Sequence, residues 1–169
     1  ADQIPLMHIA YAPVYYLVVG GLQRLVGDHG YTVGRLVSLL ATLGGTAALA
    51  WSLKCVTRRW SVGLLAAGFF LTQNLTLLLW APLERADPLA LGLTLAAVAL
   101  AGAGRVSLAG VACLLAVLTK QTFLVAPIAI ALSLWPCRVR LWRFGLIVVG
   151  GGALSVAAAQ WLTNGWFLW

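Results

Sequence analysis

Long apolar runs without a single charged side chain recur along this chain and limit what it can fold into. Residues 36–53, 60–83 and 144–169 contain no Asp, Glu, Lys or Arg. Of the 169 residues, 62% are hydrophobic and 9% are charged, whereas about 25% of the residues in a water-soluble chain are charged. We therefore interpret residues 1–169 as a single, all-α transmembrane domain of an integral membrane protein.

The remaining charge is mostly positive, with 11 basic and 4 acidic residues. The basic residues stand singly or in short loops between apolar runs, a pattern that indicates membrane orientation rather than nucleic-acid binding. The cysteines Cys55, Cys113 and Cys137 are far apart, so a disulfide framework or zinc site is not indicated. His8 and His29 have no second ligand at metal-binding spacing. The sequence predicts no metal site and shows no cofactor motif.

Six apolar stretches are candidate transmembrane or membrane-embedded helices: 33–53, 61–80, 88–103, 107–119, 123–135 and 141–161. The first, second and last have about the 20 residues that cross a bilayer. The fourth and fifth are shorter. They either fuse into one tilted helix with Lys120 near the bilayer centre or form a shallow hairpin with Lys120 at its turn. An earlier stretch, 11–26, is interrupted by Pro13 and Gly20. It either spans the membrane, with its N-terminal end in the cytoplasm, or forms an exoplasmic helix that lies along or dips into the interface, and we expect the second.

The distribution of charge decides between the fused helix and the hairpin. With a hairpin at Lys120, all four acids share one side of the membrane with four basic residues, and seven basic residues share the other side. By the positive-inside rule the seven lie in the cytoplasm. We therefore predict the hairpin, a multi-pass protein of the inner (plasma) membrane, and an exoplasmic side that holds the acids. The seven residues are Lys54, Arg58, Arg59, Arg105, Arg138, Arg140 and Arg143.

Candidate ligand-binding residues gather on the predicted exoplasmic side. Asp87 directly precedes a proline and is a suitable helix N-cap. Arg85 either pairs with a neighbouring acid or presents the planar fork that suits a phosphate. Lys120 either snorkels to the lipid head groups or binds an anionic head group or substrate. Tyr11 and Tyr15, by residue chemistry alone, are interfacial aromatic residues.

Five short segments stand out in their order along the chain: 11–17, 34–40, 84–91, 118–122 and 163–167. Together they resemble bacterial family 39 glycosyltransferases, relatives of the protein O-mannosyltransferases and of the aminoarabinose transferase that modifies lipid A, all of the GT-C fold. The resemblance implies a polytopic enzyme that transfers a sugar from a polyprenyl-phosphate donor to a protein, lipid or glycan at the exoplasmic surface. It assigns Arg85, Asp87 and Lys120, with Tyr11 and Tyr15 on an interfacial helix, to binding the lipid phosphate or orienting the acceptor.

The catalytic acid of that family lies in a large exoplasmic loop that precedes the segment corresponding to 11–17. In this chain Asp2 is the only acid before Tyr11. We therefore expect the chain to be part of a longer protein, inactive by itself, with the general base upstream of Ala1. An inverting transfer needs such a base for the acceptor and positive charge for the departing phosphate. Arg85 and Lys120 suit the second requirement.

Two other classes of function remain open. One is a transporter or flippase for a lipid-linked or anionic solute, and the other is a non-catalytic membrane subunit. A transporter usually carries internal repeats and polar residues deep in several helices. The sequence shows no clear repeat, and its polar residues gather on one side, which favours an exoplasmic active site.

Overall fold

The computed structural model describes residues 13–27, 31–73 and 85–162. All regular structure in these residues is helical, in agreement with the predicted all-α class. A 3₁₀ turn (Gln121–Leu124) follows the fifth helix, and a π-helical turn (Leu146–Gly150) joins the last two. The helices are α1 (Val14–Val26), α2 (Thr32–Thr57), α3 (Trp60–Gln73), α4 (Ala86–Gly102), α5 (Val106–Thr119), α6 (Val125–Ser133), α7 (Arg138–Gly145) and α8 (Gly151–Leu162).

Two helical stretches are long and apolar enough to cross a membrane, judged by length and composition. They are α2 and the continuous stretch Arg138–Leu162, which contains α7, the π-helical turn and α8. The other apolar helices are shorter, and several of the large apolar side chains on α8, such as Leu154 and Trp161, are exposed. Exposed apolar surface of this extent suits lipid better than water. The structure thus indicates membrane association, and the arrangement of six embedded helices stays a prediction.

The helices form an up-and-down bundle. Helices α2 and α4 run in the same direction, because Ser38 contacts Arg85 and Gly45, two turns later on α2, contacts Gly92. Helix α5 runs back along α4 and brings Lys120 to Asp87. The stretch that begins with α7 follows the direction of α5, since Ile147 lies against Gly110 and Gly151 lies against Leu114 on the next turn. The bundle therefore has two ends with different residues.

These directions separate the charged residues. We call the end that holds Arg85, Asp87 and Lys120 the Asp87 end. The seven basic residues that the sequence assigns to the cytoplasm lie at the opposite end, which we call the basic end: at the C terminus of α2, in the turn between α4 and α5, and along α7. The helical directions are thus those that the predicted hairpin requires.

Glycine allows α2 to approach its neighbours closely. A Cβ atom added to Gly92 would lie 2.5 Å from the carbonyl oxygen of Ala41, and one added to Gly63 would lie 2.4 Å from that of Ala50. Only glycine fits at these two positions, because backbone atoms of α2 occupy the space that a side chain would need. The small residues Gly92, Ala96 and Ala99 predict a surface for close helix packing, and the contact at Gly92 confirms this for the glycine. The fully buried alanines of α4 are Ala86, Ala90 and Ala97, whereas Ala96 and Ala99 are only partly buried.

The second core lies between α5 and the later helices. Small side chains on α5, including Ala109 and Cys113, are fully buried and pack in one cluster with Ala97, Ile130 and Phe144. Because small side chains let helices approach closely, the larger side chains of α6 and α7 fill the space that remains. This core connects the α4–α5 pair to the rest of the bundle.

The chain breaks at Lys120, as the hairpin prediction requires. The backbone there is extended (φ −151°, ψ 119°), and helix resumes as a 3₁₀ turn before α6 begins at Val125. Pro127 falls in the first turn of α6, where its missing N–H costs no intrahelical hydrogen bond. The fused helix over 107–135 is therefore excluded.

Candidate functional site

One face of α1 packs against the bundle at the Asp87 end. Tyr15 and Val19 are four residues apart, are 5% and 4% exposed, and pack in one cluster with Val33 on α2 and Ala86 on α4. The neighbouring Tyr16 is about half exposed, and its ring meets that of Tyr15 edge to face, with centroids 6.0 Å apart. Helix α1 is thus held by two anchors and leaves its other apolar side chains exposed.

A cleft of about 460 Å³ opens between α1 and the start of α4. Polar groups enter it from both helices: Tyr15, Tyr16 and Gln23 from α1, and Arg85 from the start of α4. The Arg85 side chain is exposed. The cleft therefore combines aromatic rings, an amide and a guanidinium, a set suited to a ligand with a negatively charged group.

The start of α4 is tied to α2. Arg85 is the N-cap residue of α4 and has an extended backbone (φ −133°, ψ 149°). The buried hydroxyl of Ser38 donates a hydrogen bond to the carbonyl oxygen of Arg85 (3.2 Å). This contact holds the backbone of Arg85 in place while its side chain remains at the cleft.

Asp87 is not the N-cap that the sequence predicts. Helix α4 begins one residue before it, and the Asp87 carboxylate instead pairs with the ammonium of Lys120. The other carboxylate oxygen, Oδ2, is buried, and no described residue donates a hydrogen bond to it. The prediction failed because the ammonium from the α5–α6 turn is a stronger partner for a half-buried carboxylate than a backbone N–H of its own helix. Asp87 still lies in the first turn of α4, where the helix dipole favours negative charge.

Lys120 is held by local structure on both sides. Its N–H donates to the carbonyl oxygen of Ala116 (2.9 Å), and its carbonyl oxygen accepts from the N–H of Phe123 (3.2 Å). The side chain is 22% exposed and its ammonium contacts Asp87. Simple snorkelling does not describe this geometry, because the charge is neutralised by a carboxylate of the protein. The contact links the α5–α6 turn to the start of α4.

The structure brings together four of the five residues that the sequence singles out. Arg85, Asp87, Lys120 and Tyr15 lie at one end of the bundle, and Tyr11 lies outside the described residues. Sequence reasoning missed Gln23 and Ser38. The spacing of Tyr15, Val19 and Gln23 by four residues marks one face of α1 and could have indicated Gln23.

Possible metal ligands are few in the part of the chain that the structure describes. It contains no group of three or more His, Cys, Asp or Glu residues that could hold an ion.

The chain was compared with protein-family models, curated proteins and solved structures, and none of them matches.

Proposed function

We propose that this chain is part of a multi-pass membrane glycosyltransferase that transfers a sugar from a polyprenyl-phosphate donor to a protein, lipid or glycan at the exoplasmic face. The observation that carries the proposal is the gathering of Arg85, Tyr15 and the Asp87–Lys120 pair at one end of the bundle. Seven basic residues occupy the other end, which is the arrangement expected if the site faces away from the cytoplasm.

The geometry divides the roles among the charged residues. The guanidinium of Arg85 lines the cleft, and we assign it to the phosphate of the donor, whose two oxygens match its planar fork. Asp87 neutralises Lys120, so we assign this pair to holding the start of α4 and the α5–α6 turn around the cleft and to orienting the acceptor. The general base that activates the acceptor lies outside this segment in this proposal.

Substitution of Arg85 tests the assignment to phosphate. A hydrogen bond to a charged group contributes about 1.5–3 kcal/mol, so Arg85→Ala should weaken binding by about tenfold or more. The measurement is photolabelling of the membrane-extracted chain by a polyprenyl phosphate that carries a diazirine, over a range of lipid concentrations. The matched control is Arg35→Ala, which removes an exposed arginine that neither lines the cleft nor belongs to the basic end, and it should leave labelling unchanged.

Equal labelling of the wild type and Arg85→Ala would remove Arg85 from the phosphate site. If the corresponding neutral polyprenol labels the protein equally well, the cleft recognises the hydrocarbon part of the lipid and not its phosphate. In the complete protein, Arg85→Ala should abolish sugar transfer without removing the protein from the membrane.

A transporter for an anionic lipid is the alternative. It would require polar groups that lead from one end of the bundle to the other. The buried hydroxyls of Thr42 and Thr46 on α2 do not offer such a path, since each donates to the carbonyl oxygen four residues earlier in its own helix (2.9 and 2.8 Å). The transporter would be favoured if a fluorescent polyprenyl phosphate moves from one leaflet to the other in vesicles that contain the wild-type chain.

A further inference from the structure

A lysine in the last turn of α2 lies close to two tryptophan rings at the basic end. The ammonium of Lys54 lies 4.9 Å from the ring centroid of Trp51 and 5.4 Å from that of Trp60. The two rings meet edge to face, with centroids 6.2 Å apart, and each is about half exposed. Both cation–π contacts hold the ammonium near exposed aromatic surface.

A second group of the same kind lies around the start of α7. The guanidinium of Arg138 is 5.6 Å from the ring centroid of Trp135. Arg140 and Arg143, later on α7, are exposed, and Trp135 and Trp142 are 61% and 75% exposed. Three cations and two large exposed rings therefore lie within nine residues of the chain.

No carboxylate in the described part of the chain lies at the basic end. The acids of the sequence are Asp2, Asp28, Glu84 and Asp87, so residues 31–73 and 88–162 contain none. Two arginines, Arg138 and Arg140, also lie in the first turn of α7, where the helix dipole disfavours positive charge. The seven cations of the basic end therefore repel one another unless negative charge comes from outside these residues.

We propose that the basic end binds the head groups of anionic phospholipids in the leaflet that faces it. Exposed tryptophan rings prefer the boundary between head groups and acyl chains, which is the depth at which lysine and arginine meet lipid phosphates. A soluble anion or a nucleic acid would neutralise the cations but leave the rings in water. The inference rests on the membrane assignment of the proposed function, and not on sugar transfer.

The test measures which lipid surrounds the protein. The whole chain is reconstituted in phosphatidylcholine bilayers with a trace of spin-labelled phosphatidylglycerol or spin-labelled phosphatidylcholine, and the motionally restricted fraction of each is read by electron paramagnetic resonance. We expect phosphatidylglycerol to be preferred by about threefold or more at low ionic strength, with the preference falling as salt is added. The double variant R138Q/R140Q should lose at least about half of it.

The matched control is R24Q/R35Q. It removes the same charge from two exposed arginines outside the basic end, and it should keep the wild-type preference. Equal association of both lipids with the wild type, or an equal loss in both double variants, would overturn the proposal. So would loss of the preference on addition of inorganic phosphate at constant ionic strength, because the occupant would then be a soluble anion. If carbonate washing releases the chain from the membrane, the membrane assignment and the proposed function both fail.

Discussion

Asp87→Asn is expected to lower the free energy of unfolding by about 2–3 kcal/mol, although it keeps the shape of the side chain. The substitution leaves the ammonium of Lys120, which is 22% exposed, without its carboxylate. Breaking a fully buried ion pair by removing one partner costs about 3–5 kcal/mol, and the partial exposure of this pair reduces that figure. The measurement is unfolding in mixed micelles by increasing fractions of dodecyl sulfate, followed by far-ultraviolet circular dichroism.

A double-mutant cycle separates the ion pair from other effects of each substitution. Lys120→Met keeps the length of the side chain, and D87N/K120M removes both charges. If the pair holds the α5–α6 turn against α4, the double variant loses less stability than the sum of the two single variants, with a coupling of about 1–3 kcal/mol. The control Arg35→Met, at an exposed arginine on α2, should change stability by no more than about 0.5 kcal/mol. Additive single effects would show that Asp87 and Lys120 do not stabilise each other.

Gly92→Ala should have an effect of the opposite sign to the usual one for this substitution in a helix. Alanine is favoured over glycine in a helix interior by about 1 kcal/mol. At Gly92, however, the added Cβ would lie 2.5 Å from the carbonyl oxygen of Ala41 and force α2 and α4 apart. Overpacking of this kind costs about 1–3 kcal/mol, and at a contact with backbone we expect the upper part of that range. Thermal unfolding in detergent gives the measurement.

Gly44→Ala is the matched control for Gly92→Ala. Gly44 lies in the interior of α2, and a Cβ added there meets nothing within 4 Å. The control should therefore keep or raise the melting temperature, whereas Gly92→Ala lowers it. A rise in both variants would mean that α2 and α4 do not approach as closely as the structure shows.

The two glycine variants also test the proposed site. Separation of α2 from α4 would displace Arg85, whose carbonyl oxygen accepts the hydrogen bond from Ser38. Gly92→Ala should therefore weaken labelling by polyprenyl phosphate more than Gly44→Ala does, although neither residue lines the cleft. In this respect Gly92 is a positioning residue.

The positions of the helices follow closely from the sequence. The predicted stretches 88–103 and 107–119 correspond to Ala86–Gly102 and Val106–Thr119 in the structure. The helix ends are set by the nearby sequence, because charged residues and glycine separate the apolar runs and the backbone can leave the helix there at low free-energy cost. The break at Lys120 was also predictable, since only a hairpin keeps the acids and the seven basic residues on separate sides.

The partners of the charged and polar side chains did not follow in the same way. Local rules make Asp87 the N-cap of α4, whereas the structure places it inside the first turn and pairs it with Lys120, 33 residues later. Nor does any pattern within α1 and α4 indicate that their surfaces enclose a cleft lined by Gln23 and Arg85. From the distribution of charge, the sequence predicts only that these residues share one side of the membrane.

The sequence by itself determined that this chain is helical, where most of its helices begin and end, and which charges share an end of the bundle. These properties depend on the hydrophobicity and backbone preferences of residues close together in the chain. The tertiary structure alone decided that Asp87 pairs with Lys120, that Gly92 lies against the backbone of α2, and that α1 covers the start of α4. Those contacts depend on how parts of the chain that are distant in the sequence pack together. In a low-dielectric interior, an opposite charge or a closely packed surface from a distant part of the chain outweighs the preference of the local sequence.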